Sequence, residues 1–488
     1  MRLRELLESL GEVELSGDPE VEIAGVEADS RWVGPGCLFV ALLGEARDGN
    51  DFVGAALAAG AAAVLSQKRK PPGTEIAWVR VPDARASLAH LARRWFGAPD
   101  SELTLVGITG TNGKTSVAHL LQAILGRCRG PAGRIGTISY STGRREIPAG
   151  LTTPEAPQIV AMLREMRDAG CRSAALEASS HAIDLKRVLA LEFDLLVFTN
   201  LSRDHLDYHG DMESYYRAKR GLFRTREESS PLAAINVDDP WGRRLRDEIE
   251  LECIAFGEAA DADVRPLDIE IGIEGTRLAV ATPHEQYVVR SRLIGRPNVQ
   301  NILAACAAAH ALGFAGEDVA AALAKAPTVR GRLERVPAGR GYDVIVDYAH
   351  TDDALRRLLL TARELTRGRV LVVFGCGGDR DRGKRPLMGA HAAALADVAV
   401  LTSDNPRSED PLAIIAEVEA GMAAAPEPRA KLHTIPDRRR AIEAALGMAR
   451  TGDLVLVAGK GHEDYQLVGG RRLHFDDREA VMEAIASP

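Results

Sequence analysis

The six residues from Gly110 to Thr115, GTNGKT, have the composition of a loop that holds phosphate. Gly110 and Gly113 let the backbone approach an anion closely, and amides at a helix start face that anion with the helix dipole behind them. Lys114 is suited to reach β and γ phosphates, and the Thr115 hydroxyl to bind Mg²⁺. The spacing is not the common GxxxxGK[ST], which needs glycine where Ile108 stands. The apolar run LTLVGIT before the loop and the amphipathic run SVAHLLQAIL after it still make strand, loop and helix, the context a nucleotide site requires.

Metal-type residues follow. RSAALEASSH puts Glu177 at a strand end. The loop after FDLLVFTN carries Asp204, His205, Asp207 and His209, with Lys219 on the helix beyond. His205 and His209, at i, i+4 spacing, read equally as an exposed helical pair. There is no HExxH and no thiolate nearby, and a nucleotide loop lies beside them, so Mg²⁺ on oxygen ligands is a better expectation than zinc. Lys219 by itself reads as a solvated helix lysine.

A third cluster, Asp404, Asn405, Pro406 and Arg407, follows the apolar run ADVAVLT. Asp, Asn and Pro are turn formers, so a turn alone would account for it. Its neighbours argue for more. Four probable strands, YDVIVDY, RVLVVFG, ADVAVLT and DLVLVAG, are each followed by a polar cluster: DYAHTDD, GCGGDRDRGK, SDNPR and GKGHED. In an open parallel sheet, ligands bind outside the carboxyl ends of the strands.

The elements that must position these residues alternate between strand-like and helix-like runs throughout, which signals an α/β chain with mostly parallel sheets. The 488 residues divide into domains at 1–98, 99–335 and 336–488. The first holds CLFVAL, DFVGAALAAG, AAVLS and ASLAHLARRWFG, and GAPDSE after it reads as a linker. A net charge of −8 argues against nucleic acid or an anionic membrane as partner. Six scattered cysteines without a CxxC suggest neither a disulfide framework nor a zinc site, hence a reducing cytoplasm. MRLRELLESLGE lacks the apolar core of a signal peptide, and AALAAGAAAVLS is too short to span a bilayer. The expectation is a cytoplasmic monomer without membrane insertion.

Taken in order, TGTNGKT, EASSH, TNLSRDHLDYHG, YYRAK, RPNVQNILAA, GRLE, VDYAHTDDAL, FGCGGDRDRGKRP, DNPR and AGKGHEDYQ resemble the Mur ligases of peptidoglycan synthesis, over nearly the whole chain. The nearest resemblance is to members that add the third residue of the stem peptide. It implies an N-terminal UDP-binding domain, a central P-loop-type ATPase domain on a mostly parallel sheet, and a C-terminal Rossmann-like domain. It also implies a shorter glycine loop, which removes the spacing misfit.

By the same resemblance, Ala28 and Ser30 contact uridine, and Glu45, Ala46 and Arg47 lie where a short loop meets the UDP moiety. Thr152, Thr153, Ser179 and Arg187 hold the muramoyl-dipeptide, with Leu185 where some relatives carry Gln. ATP is held by Gly110, Thr111, Asn112, Gly113, Lys114 and Thr115, together with Asn298, Asn301, Arg332, Asp347 and His350. Lys219 is carbamylated, which turns a cation into an anion whose oxygens can bind Mg²⁺. Two Mg²⁺ ions are implied, one served by Thr115 and Glu177, the other by Lys219 and His205. Lys114, Lys219 and His205 are the implied catalytic set.

The implied reaction is ATP-dependent amide formation. A D-Glu carboxylate of UDP-N-acetylmuramoyl-L-alanyl-D-glutamate (UDP-MurNAc-L-Ala-D-Glu) attacks the γ-phosphate, and an amine attacks the resulting acyl phosphate. Closure of the C-terminal domain would exclude water. Arg407 can clamp a carboxylate with its two-pronged fork, Asn405 can supply a donor and an acceptor, and Pro406 stiffens the turn. With Arg380, Asp404, Gly459 and Glu463 they form the expected site for meso-diaminopimelate, which has a second amino-acid end that lysine lacks. DNPR is the signature of the diaminopimelate-adding members. Three other readings compete: a related amide ligase such as folylpolyglutamate synthetase, a regulatory NTPase that turns over ATP without an amine, and a nucleotide-sugar binding module that needs neither Lys114 nor a metal cluster.

Overall fold

A computed structural model describes residues 1–44, 47–224 and 230–486. Glu45 and Ala46 lie outside the described residues. The chain forms two units. One comprises Met1–Arg265, Thr282–Glu285 and Leu303–Ala322, the other Pro266–Ala281, Gln286–Ile302 and Leu323–Pro488.

The first unit holds two sheets. One has five strands in the order Glu14–Ser16, Ala77–Arg80, Ala63–Ser66, Cys37–Ala41 and Gly25–Glu27. The other has eight, in the order Cys253–Phe256, Leu232–Asn236, Leu195–Phe198, Thr104–Thr109, Ser173–Glu177, Ala132–Ile135, Ser139–Ser141 and Glu146–Pro148. Its first six strands are parallel, and the last two turn back as an antiparallel edge. The central strands read as near-continuous apolar runs because helices cover both faces of a parallel sheet. Ser173–Glu177 is buried along its whole length.

Register is what positions the site. Glu177 pairs with Ile108, and Phe198 with Thr109. Three parallel strands therefore end level, and the loops starting at Gly110, Ala178 and Thr199 share one rim.

The helix Ala84–Trp95 serves both sheets of this unit. Its Ala84, Leu88 and Leu91 pack into the core of the five-stranded sheet, while Ala89 and Ala92 pack into the core of the eight-stranded one. GAPDSE is more than a tether: Pro99–Glu102 is a short 3₁₀ helix whose Asp100 is 2% exposed. Arg93 Nε donates to Asp100 Oδ2 at 2.8 Å, and the Glu192 amide donates to the same oxygen at 2.9 Å. A buried carboxylate with these partners fixes the segment, although its Gly, Pro and Asp content reads as loop.

In the second unit a six-stranded sheet runs Glu334–Val336, Asp343–Asp347, Leu454–Ala458, Val370–Phe374, Val398–Leu401 and Lys431–Thr434, parallel except for the first edge strand. Strand side chains alternate between faces. Ile345, Val370, Val372 and Leu456 pack under Asp352–Leu365, Lys384–Leu395 and Pro411–Ala423. Val344, Val346, Leu371 and Val457 pack under Arg438–Met448 and Asp477–Ala486. Register pairs Asp347 with Ala458 and Phe374 with Leu401, so the four polar clusters fall on one rim. Among the described residues, no helix is long and apolar enough to cross a membrane.

Candidate active site

The glycine loop leaves its strand at Gly110 (φ 146°) and enters the helix Lys114–Cys128 through Gly113 (φ 89°). A Cβ on Gly110 would lie 1.9 Å from Thr199 Oγ1. Gly110→Ala is therefore expected to cost about 1–3 kcal/mol of stability through backbone strain alone, read as a fall in melting temperature. A melting temperature equal to the parent's would refute this account of the loop.

The loop is fastened to its neighbour. Thr111 N–H donates to Asn200 O (2.8 Å), Asn112 N–H to Asn200 Oδ1 (3.0 Å), and Thr199 Oγ1 to Asn112 O (2.6 Å). Thr111 Oγ1 contacts Tyr215 OH at 3.1 Å. Asn200, Thr199 and Tyr215 went unassigned in the sequence, although TNLSRD and YYRAK flag their segments. Lys114 Nζ donates to the carbonyl oxygens of Gly110 (2.8 Å) and Thr111 (2.9 Å), which places the ammonium across the loop.

Lys219 lies on the amphipathic helix Met212–Arg220, and it faces inward with Tyr215 and Tyr216. It is 1% exposed, where sequence alone suggests a solvated lysine. Its Nζ donates to Gly110 O at 2.9 Å and sits 4.6 Å from the centre of the Tyr215 ring. Burial, and then the nearby Lys114 ammonium, hold it well below the usual lysine range. His205 does not extend an exposed helical pair. It occupies a left-handed position (φ 51°) before the single turn Leu206–His209. His181 lies between His205 and His209, with ring centroids 4.9 and 5.5 Å away. His209 stacks on Tyr215, and burial and His181 hold it down to about 4.

Glu177 is fully buried. Its carboxylate accepts from Thr115 Oγ1 (2.9 Å), Thr137 Oγ1 (2.9 Å) and Thr137 N–H (2.9 Å). A buried carboxylate met by neutral donors is a place for a cation. A Cβ on Gly136 would come within 2.1 Å of Glu177 Oε1, so only glycine leaves that oxygen room. Among the described residues, no group of three or more His, Cys, Asp and Glu side chains could hold a metal alone. The hard oxygens of Thr115 and Glu177 nevertheless suit Mg²⁺, which takes few protein ligands when substrate phosphates supply the others.

The residues expected to hold a muramoyl-dipeptide form one network. Thr152 Oγ1 lies 3.1 Å from Thr137 Oγ1. Thr153 Oγ1 donates to Glu177 O (2.6 Å), Ser179 N–H donates to Thr153 Oγ1 (3.1 Å), and Arg187 Nη1 donates to Thr153 O (2.9 Å). Arg187 also pairs with Glu155 at 2.7 Å. Glu155 in turn lines a cleft of about 420 Å³ with Ala28, Asp29, Ser30, Arg47 and Phe52. The two expected uridine contacts thus line the same cleft as Glu155, the ion-pair partner of the arginine in the dipeptide set.

In the second unit, Arg332 lies over the Tyr348 ring at 4.6 Å, and His350 packs 4.5 Å from the same ring. Asp347 accepts from Leu333 N–H (2.7 Å) and Ala349 N–H (2.8 Å), and burial raises its carboxyl. Asn298 and Asn301 are bonded to each other (2.8 Å) near the start of the helix Arg296–Ala311. On the same unit's rim, Gly378 N–H donates to Asn405 O (2.9 Å), and Ser408 Oγ donates to Asp379 Oδ1 (2.7 Å). These bonds bring the loop bearing Arg380 onto the DNPR turn. Arg407 is held at φ 54°, and its Nη1 donates to Gly378 O at 2.6 Å. Asn405 Nδ2 donates to Glu463 Oε2 (2.9 Å), and Gly459 packs against Asp404.

Family models match along the chain: Mur ligase family, catalytic domain at residues 22–96, Mur ligase middle domain at 108–309, and Mur ligase, glutamate ligase domain at 331–461. A UDP-N-acetylmuramoyl-L-alanyl-D-glutamate--2,6-diaminopimelate ligase of Solibacter usitatus is 46% identical over 468 residues, covering 96% of this chain and 94% of its own. The protein of the same name from Gloeobacter violaceus is 45% identical, covering 100% and 98%.

The chain belongs to the Mur ligase family.

A solved structure with that same ligase name superimposes at a TM-score of 0.71 with 33% identity, covering 99% of this chain and 98% of its own. A MurF structure from Acinetobacter baumannii, at 22% identity and a TM-score of 0.68, shares the fold of this Mur ligase. The chain is thus an α/β multidomain Mur ligase, as its order of motifs implies.

Proposed function

We propose that this Mur ligase joins meso-diaminopimelate to UDP-MurNAc-L-Ala-D-Glu at the expense of ATP, through an acyl phosphate. The near-full-length relatives that carry this ligase name support the reading. The observation that carries the choice of amino acid is the meeting of Arg407, Asn405 and Glu463 on one rim. A guanidinium, an amide and a carboxylate complement the carboxylate and ammonium of an amino-acid end. The two unreacted charges at the distal end of diaminopimelate need such a set, and lysine has no distal carboxylate.

Within this reading the chain divides into a UDP-binding domain (1–98), a P-loop-type ATPase domain (99–335) and a Rossmann-like amino-acid domain (336–488). The cleft at Ala28 and Ser30 takes the uridine end, and Thr152, Thr153, Ser179 and Arg187 orient the dipeptide. Residues 110–115, with Asn298, Asn301, Arg332, Asp347 and His350, hold ATP. Arg380, Asp404, Asn405, Pro406, Arg407, Gly459 and Glu463 hold the incoming amino acid.

Lys114 leaves its two loop carbonyls to neutralise charge on the transferring phosphoryl group. Thr115 and Glu177 would hold one Mg²⁺, and carbamylated Lys219 with His205 a second. Bound Mg²⁺ supplies charge neutralisation on the phosphate oxygens. Positioning does the remainder, because a carboxylate already held near the γ-phosphate needs little covalent help.

The Lys219 environment supports its modification. A desolvated lysine with depressed basicity presents a neutral amine. Its lone pair can attack the carbon of CO₂, forming an N–C bond and losing one proton to give a carbamate anion. Lys219→Ala is expected to lower activity by at least roughly 10- to 100-fold, already the scale of losing an outer-shell partner of a metal ligand, with partial rescue by formate or acetate. A carbamate resonance in ¹³CO₂ NMR of the parent should vanish in the variant. An active, substrate-bound parent without that resonance would disprove the modification.

The function is tested by phosphate release with UDP-MurNAc-L-Ala-D-Glu and ATP while candidate amino acids are scanned. Release should depend on meso-diaminopimelate far more than on lysine. ATP turnover indifferent to any amine would point to a regulatory NTPase instead.

A further inference from the structure

Lys460 has no role in the site as set out above, yet it is fully buried at the centre of the amino-acid rim. Its Nζ donates to Asn405 Oδ1 (3.0 Å) and Tyr465 O (2.7 Å) and is ion-paired with Asp404 Oδ1 (3.1 Å). An ammonium has donors and no acceptor, so its two hydrogen bonds go to the Asn405 oxygen and the Tyr465 carbonyl, while Asp404 and, at 4.0 Å, Glu463 Oε2 balance its charge. Asn405 Oδ1 also accepts from Leu467 N–H at 2.9 Å, which uses its second lone pair. Asn405 Nδ2 is then the face turned to Glu463.

A flipped amide would set an NH₂ against an ammonium and a backbone N–H, and an oxygen against a carboxylate. Three attractive contacts would become three repulsive ones. The far side of the lysine is equally determined. Asp404 is buried, and Lys460 followed by Arg438 overcomes the effect of burial to keep its carboxyl below the ordinary range.

We propose that Lys460 is a positioning residue that locks the Asn405 amide as a donor only, so that the amino-acid site is read by one fixed N–H beside the Glu463 carboxylate. Asn405 therefore does not offer the acceptor that its residue type allows. A ligand carboxylate oxygen is accepted at Asn405 and a ligand ammonium at Glu463. The reverse arrangement is refused because Lys460 has already consumed the amide oxygen. This inference rests on the amino-acid ligase reading and adds to it the polarity of recognition.

Two variants test it in the full-length enzyme with ATP, UDP-MurNAc-L-Ala-D-Glu and meso-diaminopimelate. Asn405→Asp keeps shape and can still pair with Lys460, but it replaces the outward N–H with oxygen. The KM for meso-diaminopimelate should rise roughly 10- to 100-fold, the range for a hydrogen bond to a charged group, with the KM for ATP unmoved. An unchanged diaminopimelate KM in this variant would overturn the proposal, since an outward acceptor would survive the exchange.

Lys460→Gln should raise the same KM. In a double-mutant cycle with Asn405→Ala the effects should be strongly non-additive, because the lysine acts through the asparagine. Additive effects would overturn the proposal and make Lys460 a packing residue. If Lys460→Gln does not fold, Asn405→Asp decides alone. Failure of the parent enzyme to use meso-diaminopimelate would be a separate result, removing the functional reading and this inference with it.

Discussion

Alanine at Lys114 is expected to lower kcat roughly 100- to 1,000-fold, the scale of losing one preorganised charge-stabilising donor. UDP-substrate binding, followed by calorimetry, should persist, because Ala28, Ser30 and Arg187 stand on other elements of the unit. Lys114 Nζ rests across the loop on the Gly110 and Thr111 carbonyls, so the ammonium waits beside the phosphate loop and has only to swing off them when nucleotide arrives. Lys114→Arg should recover little, since a forked guanidinium cannot reproduce a compact ammonium there. Near-normal turnover in Lys114→Ala would exclude GTNGKT as the phosphate loop.

The second large effect falls on the amino acid. Arg407→Ala should raise the KM for meso-diaminopimelate far more than that for ATP. Removing one partner of a desolvated charge pair costs about 2–5 kcal/mol, which is roughly 30- to several-thousand-fold at about 1.4 kcal/mol per decade. Lysine use should change much less, so the ratio between the two amino acids should collapse. The left-handed backbone at Arg407 (φ 54°) is a second reason to watch this position. Strained non-glycine residues persist where the surroundings over-determine them, often at ligand sites. Equal loss for both amino acids would instead make Arg407 a turn residue.

The sheet of the second unit was legible because its strands are buried on both faces. YDVIVDY, RVLVVFG, ADVAVLT and DLVLVAG announce themselves by apolar content alone. The edge strand Lys431–Thr434 does not: KLHT is largely exposed and has no pattern to read. The phosphate loop was legible from local order, whereas its supports Asn200 and Tyr215 come from segments about 90 and 100 residues distant, and only strand register brings them near. Lys219 shows the limit most directly. A lysine on a polar helix carries no sign of burial, and only the inward face shared with Tyr215 and Tyr216 reveals it. Lys460 sits in the GKGHED cluster that the strand order places on the rim, but its burial against Asn405 and Asp404 comes from a contact about 55 residues distant that the sequence does not display.

The helix Ala84–Trp95 lends residues to two hydrophobic cores, and the Arg93–Asp100 pair fastens the segment after it. A division at residue 98 is therefore expected to separate two binding roles rather than two cooperative folding units. Cutting there leaves Arg93 without its carboxylate and strips Ala89 and Ala92 of the apolar wall they rest on. Residues 1–98 expressed alone should be poorly soluble, and a protease should not find a nick site at Gly97–Glu102 in the native chain. In calorimetry the five- and eight-stranded sheets should melt in a single transition, and amides of both should exchange hydrogen through one shared opening event rather than two.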